Sequence, residues 1–334
     1  MIVVYHSSDL YAPVLGTSIL SLFENNKNIE VITVYIIENK ISELNKKKLN
    51  NLASNFNREI VFIKMPDVNR IQNLGLKNVK SVWIFDSYIR LFLSEVLPDN
   101  IERVLYLDSD VIINGSLKEL WEIDLEDNVV AGVMDCLSEE YYKVFGILKN
   151  NFYFNSGVLL FDLVKWRLNK MGDRIREYIK INDGYVFFME QTTLSAVAQG
   201  KVLLLNPKYN VLTLPSLLSY KQLYILRKMD RYYDREQIES ALETPVMLHF
   251  TNCFLVNNRP WVKGSNHPLR CYFEKYFLLT EWGEQGLFED RRTFKKKVLD
   301  KVISILPLNI CLSIASYLYN VIRIKQIKNS RVSY

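Results

Sequence analysis

Short apolar runs alternate, through the first 205 residues of this 334-residue chain, with longer segments whose apolar residues recur every three to four positions. The short runs predict strands at residues 2–5, 31–36, 60–63, 104–107, 129–133, 155–161 and 202–205. The helical spacing predicts helices at residues 12–25, 42–55, 83–93, 116–123 and 191–199. Strands that alternate with helices predict an α/β fold, with a mostly parallel central sheet and helices on both faces.

The last third of the chain lacks this regular alternation. Residues 207–244 are rich in Tyr, Arg and Lys and have weak periodicity, so we expect them to run over the active face of the sheet. The segment after residue 280 has a different composition, in which basic and apolar stretches follow one another. We therefore predict one large domain over residues 1–280 and a basic, amphipathic helical tail over residues 281–334.

The tail contains a long uncharged stretch at residues 302–322, and its length alone is typical of a membrane span. Pro307 interrupts this stretch. A narrow polar stripe follows the proline and consists of Asn309, Ser313, Ser316 and Asn320. This pattern predicts two amphipathic helices that lie in a membrane interface and act as an anchor. The alternative is that they dock on the body of the protein or on a second copy in a homo-oligomer.

Charge is distributed unevenly between the two predicted parts. Ten Lys and Arg residues against three acidic ones give residues 285–334 a charge of +7, whereas the whole chain carries +5. Residues 1–284 therefore sum to −2, and a nucleic-acid-binding surface is not predicted. The basic tail, in contrast, predicts attraction of residues 291–331 to an anionic membrane surface.

Composition places the body among ordinary globular proteins, with 49% apolar and 24% charged residues. The four cysteines are scattered without a CxxC or Cys/His cluster, so neither a disulfide framework nor a zinc site is predicted. Residues 1–5 resemble a first strand and lack the features of a secretory signal. We expect a cytoplasmic protein that is peripheral on the inner face of the cell membrane.

The sequence Asp108-Ser109-Asp110 directly follows the apolar run at residues 104–107. On extended backbone, the two carboxylates point to the same side. At the carboxyl edge of an open α/β sheet they would offer oxygen ligands to a divalent cation. An Asp-x-Asp sequence also occurs by chance, and the alternative is a solvated turn after a core strand.

Further clusters of polar residues occur in a definite order along the chain, one before the Asp pair and four after it. They are Arg90 in Ser87-Tyr88-Ile89-Arg90-Leu91, then Phe154-Asn155-Ser156-Gly157, Glu190-Gln191-Thr192, His249-Phe250-Thr251-Asn252 and Arg259-Pro260-Trp261. Together with the Asp pair, this order resembles the family 8 glycosyltransferases, the retaining bacterial galactosyl- and glucosyltransferases related to glycogenin. The resemblance runs from residue 2 to about residue 261. It implies the GT-A-like fold of nucleotide-diphospho-sugar transferases.

The resemblance implies a metal site formed by Asp108, Asp110 and His249. Transfer from a nucleotide sugar must stabilise a departing diphosphate, and a divalent cation that bridges both phosphates does so as a Lewis acid. Two carboxylates and one imidazole suit Mn²⁺ better than Mg²⁺, although Mg²⁺ remains possible. Arg259 would pair with phosphate through its planar guanidinium group.

The resemblance also implies the other site residues. The donor sugar nucleotide would contact Ser8, Asp9, Tyr11, Arg90, Asp108, Ser109, Asn155, Asn252 and Arg259. The catalytic residues would be Glu190 and Gln191, with Gln191 on the sugar face opposite the departing diphosphate. Because no carboxylate stands there to act as a nucleophile, the family pattern implies front-side attack and retention, unlike the two-carboxylate hydrolases.

The sequence departs from the family pattern after the first strand. Family members usually read Asp-Asp-Asn-Tyr, and this chain reads Ser8-Asp9-Leu10-Tyr11. Tyr11 can stack on a base but Leu10 cannot hydrogen-bond one, so a strict requirement for uracil stays open. Asp135 could bind an acceptor hydroxyl. The implied reaction moves galactose or glucose from a UDP-hexose to a glycan or lipid-linked glycan of cell-surface polysaccharide or lipopolysaccharide biosynthesis.

Two other functions remain as alternatives. The strand followed by Asp108-Ser109-Asp110-Val111 also fits the first motif of haloacid-dehalogenase-like phosphatases, in which the first Asp is a nucleophile. That fold carries the motif near the start of its catalytic core and needs a later strand that ends in an acidic pair, which the sequence lacks. A non-enzymatic carbohydrate-binding protein would need an incomplete metal site, whereas all three predicted ligands are present.

Overall fold

The computed structural model describes residues 1–65, 74–77 and 87–332. Its strands are β1 (Ile2–Ser8), β2 (Thr33–Asn39), β3 (Glu59–Lys64), β4 (Arg103–Leu107), β5 (Val111–Ile113), β6 (Val130–Met134), β7 (Phe154–Asp162), β8 (Val202–Leu204), β9 (Val211–Leu212) and β10 (Met247–His249). The helices of the body are α1 (Ala12–Asn25), α2 (Glu43–Ser54), α3 (Leu93–Val96), α4 (Lys118–Glu122), α5 (Glu139–Phe145), α6 (Leu163–Leu168), α7 (Met171–Ile181), α8 (Met189–Val197), α9 (Thr213–Leu217), α10 (Tyr220–Arg227), α11 (Arg235–Glu243) and α12 (Arg270–Phe277). The tail forms α13 (Phe294–Ile305), α14 (Leu308–Tyr317) and α15 (Arg323–Val332).

A seven-stranded sheet with the order β3-β2-β1-β4-β7-β6-β8 forms the centre of the fold. Only β7 runs against its neighbours, since it pairs antiparallel with both β4 and β6, while the other described pairs in this sheet are parallel. A second, three-stranded sheet has the order β5-β10-β9. The predicted α/β fold with a mostly parallel central sheet is therefore confirmed.

Side chains that alternate along the central strands pack on opposite faces of the sheet. Val3 and Tyr5 of β1 belong to the apolar core that includes α1 and α12. Val4, between them, belongs to the core that includes α6, α7 and α8. Helices therefore cover both faces, and the carboxyl edge of the sheet remains for the loops that follow the strands.

The predicted elements agree with the structure, with shifts of a few residues at their ends. Ser42 caps α2, because its hydroxyl accepts a hydrogen bond from the backbone N–H of Asn45 at 3.3 Å. The predicted helix at 83–93 falls partly outside the described residues, and its described part becomes a 3₁₀ turn (Ile89–Phe92) followed by α3. Residues 207–244, predicted as a crossing over the active face, contribute β9 to the second sheet and three short helices.

The tail forms helices on both sides of Pro307, where the sequence predicts the break. Every residue of α13 is exposed or half-buried. The segment after it docks on the body: Leu312 packs with residues of α10, and Ile324 and Ile327 are buried against α5. The polar stripe takes part in this docking, since Asn320 Nδ2 donates to the backbone oxygen of Leu226 at 2.9 Å. Among the described helices, none combines the length and the apolar character needed to cross a membrane.

Candidate active site

The predicted metal ligands converge at the carboxyl edge of the central sheet. Asp108 and Asp110 follow β4, and His249 ends β10, which pairs antiparallel with β5. One ligand atom from each residue can be chosen so that all three atoms lie within 4.8 Å of one another. His249 Nε2 is 3.3 Å from Asp110 Oδ1 and 3.9 Å from Asp108 Oδ2. Two carboxylates and one imidazole at this spacing fit a single divalent cation.

A hydrogen bond on the far side of the imidazole orients His249. Its Nδ1 is 3.1 Å from Asn210 Oδ1, which can only accept, so Nδ1 carries the proton. Nε2 faces the two carboxylates, on the side where a cation would bind. Metal-binding histidines are usually oriented in this way by a hydrogen bond at the other ring nitrogen.

Gly157 on β7 leaves the space that this cluster occupies. A Cβ atom at this position would lie 2.2 Å from His249 Cε1 and 2.8 Å from Asp108 Oδ2. The Gly157 carbonyl also accepts a hydrogen bond from the backbone N–H of Asp108 at 2.8 Å. Any side chain at residue 157 would therefore displace two of the three candidate ligands.

Arg90 is a buried cation that contacts Asp108 in the site. Its Nη2 is 2.9 Å from Asp108 Oδ1, its Nη1 donates to the Ser156 carbonyl at 2.7 Å, and its guanidinium group lies 4.7 Å from the centre of the Tyr106 ring. Burial alone would lower the pKa of Arg90, but the Asp108 and Tyr106 side chains outweigh it, and the pKa is raised above its ordinary value. Arg90 therefore stays charged and holds Asp108 in one orientation.

Arg259 holds the second carboxylate. Its Nη1 donates to Asp110 Oδ2 at 3.0 Å, while Asp110 Oδ1 faces His249. Burial would raise the pKa of Asp110, but His249 and Arg259 bring it well below its usual range. Asp110 is therefore a carboxylate at neutral pH, as a cation ligand must be.

A chain of amide hydrogen bonds links the metal cluster to the predicted catalytic residue. Asn210 Nδ2 donates to Asn155 Oδ1 at 2.9 Å, and Asn155 Nδ2 donates to Gln191 Oε1 at 3.2 Å. Gln191 Nε2 in turn donates to Asp135 Oδ2 at 2.8 Å. The structure thus brings Gln191 and Asp135, the predicted catalytic and acceptor residues, into direct contact. The sequence does not indicate a role for Asn210 in the site, because this residue lies in a segment without clear periodicity and belongs to no motif.

Glu190 is held from three sides. Ser87 Oγ donates to Glu190 Oε2 at 2.7 Å and Ser156 Oγ donates to Glu190 Oε1 at 3.1 Å. Arg90 Nη1 lies 3.9 Å from the same carboxylate. These contacts fix Glu190 between Arg90 and β7, at the first turn of α8.

A cavity of about 200 Å³ opens beside the cluster. It is lined by His6, Ser7, Ser8, Tyr11, Ser87, Arg90, Asp108, Ser109 and Asp110. This cavity therefore brings the predicted metal ligand Asp110 together with five predicted donor-binding residues: Ser8, Tyr11, Arg90, Asp108 and Ser109. Tyr11 also meets the Trp261 ring edge-on, with 6.2 Å between ring centres. An aromatic wall beside a cationic site suits a base joined to a diphosphate.

The other four predicted donor-binding residues, Asp9, Asn155, Asn252 and Arg259, do not line this cavity. Asp9 Oδ1 accepts hydrogen bonds from the backbone N–H of Ser42 at 2.8 Å and from Asn45 Nδ2 at 2.7 Å, so this oxygen anchors the start of α2. Asn252 is exposed and lines a neighbouring cavity of about 490 Å³, which Arg259 also borders. Asn155 lies behind the cluster, in the amide chain.

The sequence of this chain is similar to those of known proteins. The sequence profile of Glycosyl transferase family 8 matches residues 2–265. General stress protein A of Bacillus subtilis is 26% identical over 293 residues, which cover 86% of this chain and 96% of that protein. Lipopolysaccharide 1,2-glucosyltransferase of Escherichia coli K12 is 26% identical over 280 residues, which cover 83% of this chain and 77% of that enzyme.

A solved structure has the same fold. The crystal structure of the galactosyltransferase LgtC, in complex with donor and acceptor sugar analogues, matches with a TM-score of 0.70. The match covers 85% of this chain and 100% of that chain at 22% sequence identity, which establishes the shared fold. Since the family profile spans the central sheet and every predicted site residue from Ser8 to Arg259, the chain belongs to glycosyltransferase family 8.

Proposed function

We propose that this glycosyltransferase is a metal-assisted, retaining hexosyltransferase that moves galactose or glucose from a UDP-sugar to a glycan of the cell surface. One observation carries the proposal: Asp108, Asp110 and His249 converge beside a cavity that contains Arg90 and the aromatic side chain of Tyr11. This combination suits a nucleotide diphosphate bound through a cation.

Asp108, Asp110 and His249 would hold the divalent cation, for which Mn²⁺ is the first candidate and Mg²⁺ the second. The cation would supply Lewis-acid stabilisation of the departing diphosphate. Arg90 and Arg259 fix the two carboxylates by ion pairs of 2.9 and 3.0 Å. Both carboxylates are therefore oriented before the donor arrives, which lowers the cost of assembling the site.

The side chains near the sugar position support retention. Gln191 offers an amide, a poor nucleophile, and this amide is held by Asn155 and Asp135. The Glu190 carboxylate is engaged by Ser87, Ser156 and Arg90. The acceptor hydroxyl would attack the anomeric carbon on the leaving-group side. Its C–O bond forms as the bond from the anomeric carbon to the diphosphate breaks, and its proton passes to a diphosphate oxygen.

Asp135 is the proposed acceptor-binding residue, because one of its carboxylate oxygens accepts from Gln191 beside the sugar position. The acceptor class comes from the relatives and the tail. The E. coli relative is named a lipopolysaccharide glucosyltransferase, and membrane surfaces carry such lipid-linked glycans. We propose a glycan or lipid-linked glycan of lipopolysaccharide or cell-surface polysaccharide biosynthesis as the acceptor.

The outer surface of the tail supports a location on the cytoplasmic face of the membrane. We call this surface the apolar tail face, and it consists of Phe294, Val298, Leu299, Val302, Ile305, Ile310, Ile314 and Leu318, each at least 45% exposed. The basic residues of 291–331 flank it. An apolar face with basic flanks is typical of helices that lie in an anionic membrane interface. A second copy of the chain is the other possible partner of the apolar tail face.

Release of free UDP from a panel of UDP-sugars, with Mn²⁺, with Mg²⁺ and with EDTA, tests the enzymatic part of the proposal. We expect UDP release from UDP-galactose or UDP-glucose that depends on the metal. Release of inorganic phosphate from a simple phosphate ester, without UDP release, would instead support a phosphatase. Binding of the donor without any turnover would support a carbohydrate-binding protein.

A further inference from the structure

Tyr319 of the tail contacts Phe188, the residue that precedes α8. The Tyr319 ring lies 4.8 Å from the Tyr141 ring and stacks on Phe188 with 6.3 Å between ring centres. The Arg227 guanidinium group covers the Tyr319 ring at 4.0 Å. The Tyr141 hydroxyl donates to the Tyr319 backbone oxygen at 2.6 Å. One tail side chain therefore joins α5, α10 and the residue that precedes α8.

Phe188 and Met189 have an unusual backbone conformation. Their φ angles are 55° and 51°, in the left-handed region that non-glycine residues occupy only when their surroundings hold them there. Glu190 and Gln191, the proposed catalytic residues, come next in the chain. The conformation at Phe188 therefore sets where α8 begins and where these two side chains point.

Aromatic and cationic groups hold the Phe188 ring in place. Tyr141 and Phe145 lie 5.7 Å from it on the side of the body, and Tyr319 stacks on it from the tail. The Arg323 guanidinium group lies over the ring at 4.6 Å. Two of these four contacts, those of Tyr319 and Arg323, come from the tail.

The tail is firmly seated where it makes these contacts. Ile324 and Ile327 are 4% and 0% exposed, and they pack beside α5. Asn320 donates to the backbone oxygen of Leu226 at 2.9 Å, and Lys328 pairs with Glu140 at 3.5 Å. The contacts to Phe188 therefore belong to an ordered interface and not to a loose end of the chain.

We infer that Tyr319 and Arg323 are positioning residues, which hold Phe188 and through it keep Glu190 and Gln191 in their working geometry. The inference rests on the proposed function only in the roles that it gives to Glu190 and Gln191. It assigns the tail a task in turnover that is separate from membrane binding, because Tyr319 and Arg323 contact Phe188 of the body and neither belongs to the apolar tail face.

Steady-state UDP release from the UDP-sugar that the unaltered chain uses fastest tests this inference. No acceptor is needed when water takes the hexose. We expect Tyr319→Ala to lower kcat by about 10- to 100-fold with little change in donor KM, since small misplacements of catalytic groups cost this much. Tyr319→Phe keeps the ring and should keep most of the activity. Arg323→Ala should lower kcat by about two- to fivefold.

Tyr224→Ala is the matched control, since it removes an exposed tyrosine from α10, the helix that receives the tail. It should leave kcat unchanged. Arg323 is exposed, so Arg323→Ala keeps the fold even if Tyr319→Ala does not. Unaltered kcat in both Tyr319→Ala and Arg323→Ala, or an equal loss in Tyr319→Phe and Tyr319→Ala, would overturn the inference.

Backbone hydrogen exchange gives a second readout that does not depend on activity. Amides of residues 189–192 should exchange faster in Tyr319→Ala and in Arg323→Ala, but not in Tyr224→Ala. Unchanged exchange at these amides would contradict the positioning role. If the unaltered chain releases no UDP from any donor, the proposed function fails, and hydrogen exchange alone still decides whether the tail positions α8.

Discussion

Arg90 and Asp108 form an ion pair, with Nη2 and Oδ1 2.9 Å apart, although Asp108 is also a candidate ligand for a cation. The second oxygen, Asp108 Oδ2, lies 3.9 Å from His249 Nε2 and faces the cation position. Oδ2 also accepts a hydrogen bond from Arg90 Nη1 at 3.2 Å, so the guanidinium group contacts both oxygens of the carboxylate that would bind a cation. Arg90 holds the Asp108 carboxylate in place and partly neutralises its negative charge. A diphosphate bound beside Arg90 would add negative charge to offset that of the cation and of Arg90.

Removal of either carboxylate should abolish metal-assisted transfer. We expect Asp108→Asn and Asp110→Asn to lower UDP release by about 100-fold or more, because each would lose a charged ligand of the cation that we propose to stabilise the diphosphate. Mn²⁺ affinity, measured by calorimetry on the same variants, should fall in parallel. Full activity of either variant in EDTA would contradict the assignment of the metal site.

Gly157→Ala should damage the same site without changing a ligand. The added Cβ would lie 2.2 Å from His249 Cε1, so the imidazole or β7 must shift. We expect Mn²⁺ affinity to fall by about 10- to 100-fold, as it does when the support of a metal ligand is lost. Gly115→Ala is the control, because its Cβ would meet only ordinary contacts, the nearest at 3.6 Å. Equal Mn²⁺ affinity in both variants would show that the close approach at Gly157 does not matter.

The sequence predicts the Asp pair of the metal cluster because the pair is local, whereas His249 is distant in the chain and is implied only by the family resemblance. Asp108 and Asp110 follow an apolar strand, and strand ends converge at one sheet edge. The amide chain could not be predicted, because Asn210 meets His249 and Asn155 only when three distant segments come together. A motif search finds residues that belong to a pattern, and Asn210 belongs to none.

The tail shows a second limit of sequence patterns. A polar stripe on an apolar helix is compatible with solvent, with lipid head groups or with a polar contact on the protein itself. The structure places Asn320 of this stripe on the backbone oxygen of Leu226, and Ser316 is buried. The pattern therefore predicts the helices and their break at Pro307, but it cannot say which polar surface the stripe faces.

The transferred hexose should keep the α-configuration of the donor. Gln191 is an amide held by Asp135 and Asn155, and it lacks the basicity to activate an acceptor for inversion. Proton NMR of the product, through the coupling constant of the anomeric proton, checks this prediction for any acceptor that works. A β-linked product would show that another residue acts as a base.

Acid should destabilise the fold through His267. Burial lowers the pKa of His267 from 6.5 to about 4, and its Nδ1 accepts the backbone N–H of Leu269 at 3.2 Å, so a proton on Nδ1 would break this hydrogen bond. Because the unfolded state takes up the proton first, the stabilisation is present above pH 6.5 and is lost as the pH falls towards 4. Between pH 7.5 and 5 we expect a loss of about 2 kcal/mol in the free energy of unfolding.

His267→Gln provides the comparison for this pH effect. Denaturant titrations of both chains at pH 7.5 and 5, in the presence of EDTA, isolate the contribution of residue 267, because the other titrating groups are common to both. The variant should lose about 2 kcal/mol less than the unaltered chain over this range. Equal losses of the free energy of unfolding in both chains would contradict the lowered pKa of His267.

Membrane binding should depend on the apolar tail face and on salt. We expect the double variant Leu299→Ser, Val302→Ser to bind anionic vesicles about 10- to 100-fold more weakly, since it removes two side chains that are 51% and 47% exposed and available for burial in lipid. Binding of the unaltered chain should weaken as salt rises, because attraction to surface charge is screened within about 8–10 Å at physiological ionic strength.

Substitutions test the anchor better than truncation, because a cut before α13 would also remove Ile324 and Ile327 from the core beside α5. The matched control is Leu168→Ser, Ile181→Ser, which removes two exposed apolar side chains from the body, 76% and 75% exposed, and should leave vesicle binding unchanged. UDP release should stay the same in both double variants, because none of the four residues borders the site. Should the Leu299/Val302 variant keep its vesicle binding but lose a concentration-dependent dimer in sedimentation, the apolar tail face binds a second copy of the chain and not lipid.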